Sequence, residues 1–351
     1  MSDNFSPKQT IKNAALSRRH LIQGTGASAI GIALAGLRSS ATAVPRTQAP
    51  GRTKHFIREV KEARLFDLSP VWDENSPIAS VNPPYSMELN KTHALAANDP
   101  ARGTRDTFGD GGQLSFTSEV QHFSGQHGAP SLDAIGHIGR NGFLFGHVDA
   151  AAATSDLRGI GRSGVGAHLD VVHYPTDLLV NRGVLLDVAR FIQGDLSPLP
   201  PGFEITASHL ADTAKAQGVE LERGDTVLIR TGWGKLFTED PNLYKGASSP
   251  GPSVDGAQFL VDHDAPVVGD DTLTFEKRPP VISTPTFQVF PVHMLLIADN
   301  GINIIENFFL DELSAAEVYE FLLVVPPLKI RGGTGSALRS FALAPKVGRE
   351  D

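Results

Sequence analysis

The amino-acid sequence predicts one mixed domain of the α/β (or α+β) class, because short apolar runs alternate with helix-like segments and with loops rich in Pro and Gly. The apolar runs have the length and composition of buried strands. They cover residues 183–188, 226–229, 266–269 and 302–305. The order of these strands in a sheet does not follow from the sequence pattern.

Two helices are predicted from their end signals. Thr206 is suited to cap a helix that runs to Gln217, and Gly218 is a typical stop. The tetrapeptide 314–317, Ser-Ala-Ala-Glu, matches a capping box and predicts a helix through about residue 323. Residues 73–110 are rich in Asn, Pro and Asp and predict a long loop, which is either a lid over a binding site or a flexible surface insertion.

The N-terminal region predicts an export signal. Arg18 and Arg19 form a twin-arginine pattern, a short apolar run covers residues 26–37, and the small residues 41–43 (Ala-Thr-Ala) resemble a cleavage site. We therefore expect residues 1–43 to be a twin-arginine signal peptide and the mature protein to be periplasmic or secreted, with the twin-arginine translocase as its partner during export. Residues 44–64 are interpreted as a linker, 65–345 as the catalytic domain and 346–351 as a tail.

Composition excludes several classes of function. The chain has 351 residues, a net charge of −8 and no cysteine. The absence of cysteine excludes disulfides, Cys-ligated zinc and Cys nucleophiles. The acidic charge gives no electrostatic footprint for nucleic acid or anionic lipid. No apolar run reaches the ~20 residues of a membrane span, so stable membrane insertion is not expected.

A cluster of chemically active residues lies between residues 121 and 137. His127, Asp133 and His137 stand there in a stretch dense in Gly and Pro. Imidazole and carboxylate are the usual protein ligands of zinc and manganese. Glycine allows the tight turns that bring such side chains together. The residues alone leave a metal or catalytic site and an ordinary structural role equally open.

The spacing of this cluster resembles the motif of the cyclase family, His-x-Gly-Thr-His-x-Asp-x-x-x-His, without gaps. That family includes bacterial kynurenine formamidases and isatin hydrolases. Further segments resemble it in the same order over residues 65–345. These are residues 224–233, 269–272, 291–293, 301–306, 327–330 and 332–336.

The resemblance implies a mixed β-barrel-like core flanked by helices, and it assigns roles to individual residues. His127 and Asp133 would bind a divalent metal, zinc or manganese, together with His293 and Glu306. His137 would donate and accept protons. The implied reaction is hydrolysis of a C–N bond in a carboxamide, formamide or lactam, as in the arylformamidases of tryptophan catabolism. Family members commonly associate, so a homo-oligomer is possible.

One position departs from the family motif. Ser131 stands where the second metal-binding His is expected, and a neutral hydroxyl is a poorer ligand than imidazole. Either one metal is bound through the other four ligands, or metal binding is weakened and catalysis is altered or lost. Family relatives tolerate other polar residues here, which favours the first reading. His122, Gln126 or His147 could substitute, although a surface or structural role is the favoured interpretation of each.

The substrate is expected to be a small molecule, and an aromatic compound is the candidate. Trp72 lies in a polar, Pro-rich stretch and is the candidate to stack on it, whereas Trp233 is expected in the core. Two alternative functions remain open at this point. The same scaffold could act on a lactone or catalyse a dehydration, or Ser131 could mark a non-catalytic periplasmic ligand-binding protein.

Overall fold

The computed structural model describes residues 50–79, 82–93, 116–280 and 289–346. Contacts group residues Lys54–Asp351 into one compact unit. Of the other unit, Met1–Thr53, only residues 50–53 are described, so the predicted signal peptide lies outside the described residues. Much of the predicted 73–110 loop is also outside them. Among the described residues, no helix is long and apolar enough to span a membrane.

A mixed sheet of nine strands forms the centre of the described fold and curls into a half-barrel. Its strands are β1 Arg64–Asp67, β4 Ser131–Asp133, β7 Val180–Leu186, β9 Thr226–Ile229, β11 Val267–Asp270, β12 Asn303–Glu306, β13 Glu320–Val324, β14 Gly335–Ala337 and β15 Phe341–Ala344. Their order across the sheet is β1-β15-β13-β7-β9-β11-β12-β4-β14.

Three short ribbons accompany this sheet. Their strands are β2 Ser86–Lys91 with β3 Ser118–His122, β5 Phe143–Leu144 with β6 Val148–Asp149, and β8 Glu204–Ile205 with β10 Gly251–Pro252.

The middle of the large sheet is parallel and is buried on both faces. Strands β7, β9, β11 and β12 run parallel, while β13 and β4 pair antiparallel at either side of them. On β7, Leu185 belongs to one hydrophobic cluster and its neighbours Val184 and Leu186 to another. Continuous apolar runs are the expected pattern for parallel strands covered on both sides.

All four predicted strands are present: β9 coincides with its predicted run, and the ends of the other three are shifted by one to three residues. The shift matters at β12, because the strand ends on Glu306 and this carboxylate is therefore part of the buried sheet. The helix after Thr206 is confirmed at both ends, with its threonine cap and with Gly218 in the left-handed conformation.

The helix predicted from Ser314 to about residue 323 is wrong. A short helix, Asp311–Ala315, ends where the predicted one should begin, and Glu320–Val324 is strand β13. The Ser314 hydroxyl donates to Asp187, 127 residues away, instead of capping a helix. Long-range pairing of β13 with β7 and β15 overrides the local capping pattern.

The first described helix is Pro50–Glu62, and its residues 51–62 are exposed. The remaining helices are short, with bounds Ala150–Ala153, Val188–Gln193, Leu236–Glu239, Pro241–Tyr244, Val254–Asp262 and Pro291–His293. Single 3₁₀ turns cover Gly125–His127, Ala167–Leu169, Val171–His173 and Thr176–Leu178, and a π-helical turn covers Met294–Asp299. The first helix falls within residues 44–64, so most of the segment interpreted as a linker is helical.

Candidate metal centre

Three of the predicted ligands meet at the junction of β4, β12 and the helix Pro291–His293. Asp133 ends β4 and Glu306 ends β12, and the two strands are hydrogen-bonded neighbours. The side chains of Asp133, His293 and Glu306 are buried, and one ligand atom from each lies within 4.8 Å of the others. We refer to Asp133, His293 and Glu306 as the acidic centre.

Negative charge dominates the acidic centre. His293 Nε2 lies 3.3 Å from Glu306 Oε1 and 3.9 Å from Asp133 Oδ2. Burial, together with the charge of Asp133, raises the pKa of Glu306 to about 8. A positive ion placed between these groups would offset both the cost of burying the carboxylates and the repulsion between them.

Glu276 orients the imidazole of His293. Its Oε1 lies 2.5 Å from His293 Nδ1, and its carboxylate also accepts the backbone N–H groups of Val292 and His293. A carboxylate at Nδ1 fixes the tautomer in which Nε2 offers its lone pair to a metal. Burial lowers the pKa of His293, but the hydrogen bonds to Glu276 and Glu306 outweigh it and raise that pKa well above the ordinary value.

Two buried oxygen atoms of this site lack hydrogen-bond partners in the described part of the chain and are available to a cation. These atoms are Asp133 Oδ1 and Ser131 Oγ. Ser131 pairs directly with Glu306 across the two strands and shares its strand face with Asp133. Buried polar atoms are rarely left unpaired. An imidazole, two carboxylates and a hydroxyl form a donor set that fits a divalent ion such as zinc or manganese.

The segment that carries His127 is held against β14. Gly125–His127 form one 3₁₀ turn. A Cβ atom at Gly125 would lie 2.7 Å from the Gly335 carbonyl oxygen, and one at Gly128 would lie 2.7 Å from Ala337 Cβ. Glycine is therefore required for this close approach. The side chain of His127 lies outside the described part of the structure, so its role as a ligand stays a prediction.

His137 lies at the edge of the acidic centre, between Asp133 and solvent. Its Nε2 is 3.7 Å from Asp133 Oδ2, and 28% of its side chain is exposed. The residue follows the end of β4 in a turn closed by its backbone N–H and the Ala134 carbonyl. An imidazole in this place can exchange protons with solvent, which is the geometry a proton carrier needs.

The residues considered as substitutes for the missing His lie elsewhere among the described residues. His122 is exposed on β3, and the exposed His147 stacks on Phe143. Gln126 donates to the Thr334 hydroxyl at 2.5 Å. These contacts agree with the structural interpretation of all three residues.

The two tryptophans lie in one aromatic region beside the 127–131 segment. Trp233 is 1% exposed and donates its indole N–H to the Leu199 carbonyl, so its predicted core position is confirmed. Trp72 is half-buried and stacks on Tyr85 at 5.0 Å between ring centroids, with Phe123 edge-on at 5.1 Å. The hydrophobic cluster against which Trp72 packs includes Ala129, two residues before Ser131.

Three residues near this site were not predicted from the sequence. Glu276 stands next to Lys277 and Arg278, a pattern typical of a charged surface, yet it is 1% exposed. Tyr244 and Asn307 are also buried, and they connect to the backbone next to His127. No local pattern marks any of the three, because each acts through contacts that are distant in sequence.

Comparison with known proteins identifies the family. A family model described as "Putative cyclase" matches residues 66–277. The chain belongs to the cyclase family. Within that family, an isatin hydrolase from Roseibium aggregatum is 30% identical over 196 residues, which are 52% of this chain and 72% of the relative. The resemblance predicted from the motifs is thereby confirmed.

Solved structures agree with the fold. A structure described as a novel cyclase has a TM-score of 0.68 at 25% identity and covers 84% of this chain and 93% of its own. Isatin hydrolase A from Labrenzia aggregata, bound to benzyl benzoate, has a TM-score of 0.59 at 20% identity, with 84% and 100% covered. The predicted mixed, barrel-like fold is confirmed, and at the level of the family the protein is a hydrolase.

Proposed function

We propose that this cyclase-family protein uses a divalent metal to hydrolyse a C–N bond in a small cyclic amide or N-formyl compound with an aromatic ring. The acidic centre carries this proposal. It is buried, it contains two carboxylates and one imidazole, and His137 lies at its solvent side. The related isatin hydrolase supports a cyclic amide as the substrate class. Arylformamidase-like activity is the second branch of the same proposal.

The metal would be held by Asp133, His293 and Glu306, with His127 as a further ligand. When bound, zinc or manganese polarises a carbonyl and lowers the pKa of a water molecule. The protein supplies the negative charge that retains the ion. Glu276 keeps His293 in the tautomer that presents Nε2 to the centre.

His137 performs the proton transfers in this proposal. Its imidazole takes a proton from the attacking water and delivers it to the leaving nitrogen, so that the amine departs neutral. Its partial exposure and its 3.7 Å distance from Asp133 Oδ2 support this role.

The aromatic group of Trp72, Tyr85 and Phe123 would form the wall for the substrate ring. Phe123 precedes His127 by four residues, and Trp72 packs with Ala129 in one cluster. Offset and edge-to-face contacts with a flat ring contribute about 0.5–1.5 kcal/mol per aromatic pair. Trp72→Ala is therefore expected to raise KM for aromatic amides more than it lowers kcat.

The decisive experiment measures metal content and activity together. Wild type, His137→Ala and the matched control His263→Ala are loaded with metal and assayed on isatin-like lactams, N-formyl aromatics and lactones. We expect His137→Ala to keep its metal and to lose about 100-fold or more in kcat. His263 bonds the Phe259 carbonyl outside the acidic centre, so its removal should leave kcat unchanged. Full activity of His137→Ala would refute the assigned role.

Ser131 replaces a nitrogen ligand of the family motif by a hydroxyl. Two other functions, hydrolysis of a different bond and ligand binding without catalysis, are therefore tested in the same assays. Turnover of lactones alone would assign the scaffold to a different bond. A folded wild type with substoichiometric metal and no turnover would indicate a ligand-binding protein. Elemental analysis of Ser131→His beside wild type tests how many metals the wild type binds. A rise from one to two metals per chain in the variant identifies the wild type as a mononuclear variant.

Export is a further part of the proposal and rests on the sequence pattern of residues 17–43. We propose that the twin-arginine translocase carries the protein to the periplasm or the medium. Changing Arg18 and Arg19 together to Lys should retain a reporter fusion in the cytoplasm. Unchanged export of that variant would refute this route. Light scattering of the purified protein tests the proposed homo-oligomer.

A further inference from the structure

Asn307 connects two segments of the acidic centre that are far apart in sequence. It directly follows Glu306, and its side chain is 2% exposed. Its Nδ2 donates to the carbonyl oxygen of Gly128 at 3.2 Å, across 179 residues of chain. Gly128 in turn directly follows His127. One side-chain amide therefore joins the backbones on which two of the proposed metal ligands stand.

Tyr244 holds the oxygen end of this amide. Its buried hydroxyl donates to Asn307 Oδ1 at 2.8 Å, and the Asp271 carbonyl at 3.4 Å is its second acceptor. An asparagine amide can rotate by half a turn and exchange its oxygen and nitrogen. The Gly128 carbonyl only accepts hydrogen bonds, so the NH₂ group has to face it, and the Tyr244 hydroxyl then satisfies the oxygen. Without that hydroxyl, the buried Asn307 oxygen loses its hydrogen-bond donor.

The backbone at Asn307 explains why a side chain is retained here. Its φ angle of 62° lies in the left-handed region, where glycine has no steric cost and asparagine is tolerated better than most residues. Its N–H donates to the Thr272 carbonyl at 2.9 Å. Glycine would satisfy this backbone, so conformation alone does not account for the amide and its two hydrogen bonds.

Resting on the proposed metal-dependent function, we propose that Asn307 and Tyr244 are positioning residues that fix the His127 segment relative to Glu306 and so set the affinity for the metal. Metal sites require ligand distances within about 0.2 Å. Removing outer partners of metal ligands typically costs 10- to 100-fold in affinity. The connection is buried and direct, which leaves few compensating contacts.

The test measures metal affinity without any substrate. Kd for Zn²⁺ and Mn²⁺ is obtained by competition with a chromogenic chelator, and the absorption spectrum of the Co²⁺-loaded protein reports the ligand geometry. The variants are Asn307→Gly, which keeps the left-handed backbone, Tyr244→Phe, and the double variant. Tyr174→Phe is the matched control, because this buried tyrosine donates only to the Leu178 carbonyl, in a different hydrophobic cluster.

We expect each single variant to raise Kd by about 10- to 100-fold and to shift the Co²⁺ spectrum. The double variant should be no worse than the weaker-binding single variant, because both changes break one connection. Tyr174→Phe should lower the unfolding midpoint while Kd stays unchanged. If Asn307→Gly does not fold, Tyr244→Phe, which removes a single oxygen atom, decides the matter.

Unchanged Kd values in both single variants, or an equal rise in Tyr174→Phe, would overturn the positioning role. The outcome is separable from that of the proposed function. Wild type that hydrolyses amides while the variants keep its Kd defeats the positioning role alone. Wild type that binds metal, depends on Asn307 for it and hydrolyses nothing defeats the proposed reaction alone.

Discussion

Two clusters of buried carboxylates lie at ends of strands in the same sheet, and they differ in how the charge of the carboxylates is neutralised. The first, which we call the Arg230 cluster, consists of Arg230, Asp187 and Asp311. Arg230 is fully buried, with Nη1 2.9 Å from Asp187 Oδ1 and Nη2 2.7 Å from Asp311 Oδ1. Asp187 also accepts the Ser314 hydroxyl and the Arg190 backbone N–H.

The acidic centre has no such partner in the part of the chain that the structure describes. There, no lysine or arginine nitrogen lies within 4.0 Å of the carboxylates of Asp133 or Glu306. Among the described residues, Asp133 Oδ1 has no hydrogen-bond donor, and the side-chain nitrogens within 4.0 Å of the two carboxylates belong to the imidazoles of His137 and His293. The contrast with the Arg230 cluster is therefore between a permanently charged guanidinium and imidazoles that can give up a proton to make room for a metal ion.

This difference separates a structural role from a binding role. Burying a carboxylate is costly unless it is paired or bound to a cation. The Arg230 cluster carries its own cation and joins the segments around Asp187, Arg230 and Asp311. The acidic centre sets its carboxylates against imidazoles and no guanidinium or ammonium group among the described residues, which is the arrangement expected of a site that takes a metal ion from outside.

The largest expected effect comes from removing the internal cation. Arg230→Met leaves Asp187 buried without its partner, so we expect the free energy of unfolding to fall by about 3–5 kcal/mol. Urea unfolding of the variant beside wild type measures this loss. Arg339→Met is the control, because Arg339 pairs with Asp67 on the surface, and its midpoint should not change measurably. A variant at Arg230 as stable as wild type would contradict the structural role of the cluster.

The next effect comes from supplying the external cation. At a metal concentration 100-fold above Kd, binding to the native state alone adds about 2.7 kcal/mol to the free energy of unfolding. Asp133→Asn should abolish this increment, whereas Asp187→Asn should keep it on a lower baseline. Unfolding curves with chelator and with added zinc or manganese give both values. An increment that survives in Asp133→Asn would place the metal elsewhere.

Local signals made part of this fold predictable. Strand β9 coincides with the predicted run 226–229, and the helix 207–217 has both predicted ends, because caps and apolar runs are local features. The error after Ser314 has the opposite cause: the hydroxyl is engaged by Asp187 and the following residues pair with β7. Neither partner is visible in a short window of sequence.

The same distinction applies to the site. Asp133, His293 and Glu306 were predicted because they stand in motifs that resemble the family, and the structure brings them together. Glu276 and Asn307 were not predicted. They act through contacts across 17 and 179 residues, and their own neighbourhoods give no periodic or compositional signal.

A smaller effect, opposite in sign between the two groups, is expected in metal-free protein. Asp133→Asn removes the carboxylate whose charge raises the pKa of the buried Glu306, so the free energy of unfolding should rise by about 1 kcal/mol. Asp187→Asn removes a charge that pairs with Arg230, so the same quantity should fall. Chelator-treated samples of both variants are unfolded in urea beside wild type. A loss of stability in Asp133→Asn would mean that the neighbouring imidazoles already compensate its charge in the metal-free protein.

The smallest expected effect concerns Ser131, whose buried hydroxyl has no hydrogen-bond partner in the described part of the chain although the residue pairs with Glu306 across the strands. If the hydroxyl serves the metal, Ser131→Ala should weaken binding by about 3- to 10-fold, which corresponds to about 1 kcal/mol. Metal-free stability should stay the same or rise slightly, because an unsatisfied polar atom is removed. Ser340→Ala is the matched control: its hydroxyl is equally buried and unpartnered but does not belong to the acidic centre. Equal metal affinities in the two variants would make Ser131 a spectator, and the acidic centre would then bind its cation without a donor at the position of the family's second histidine.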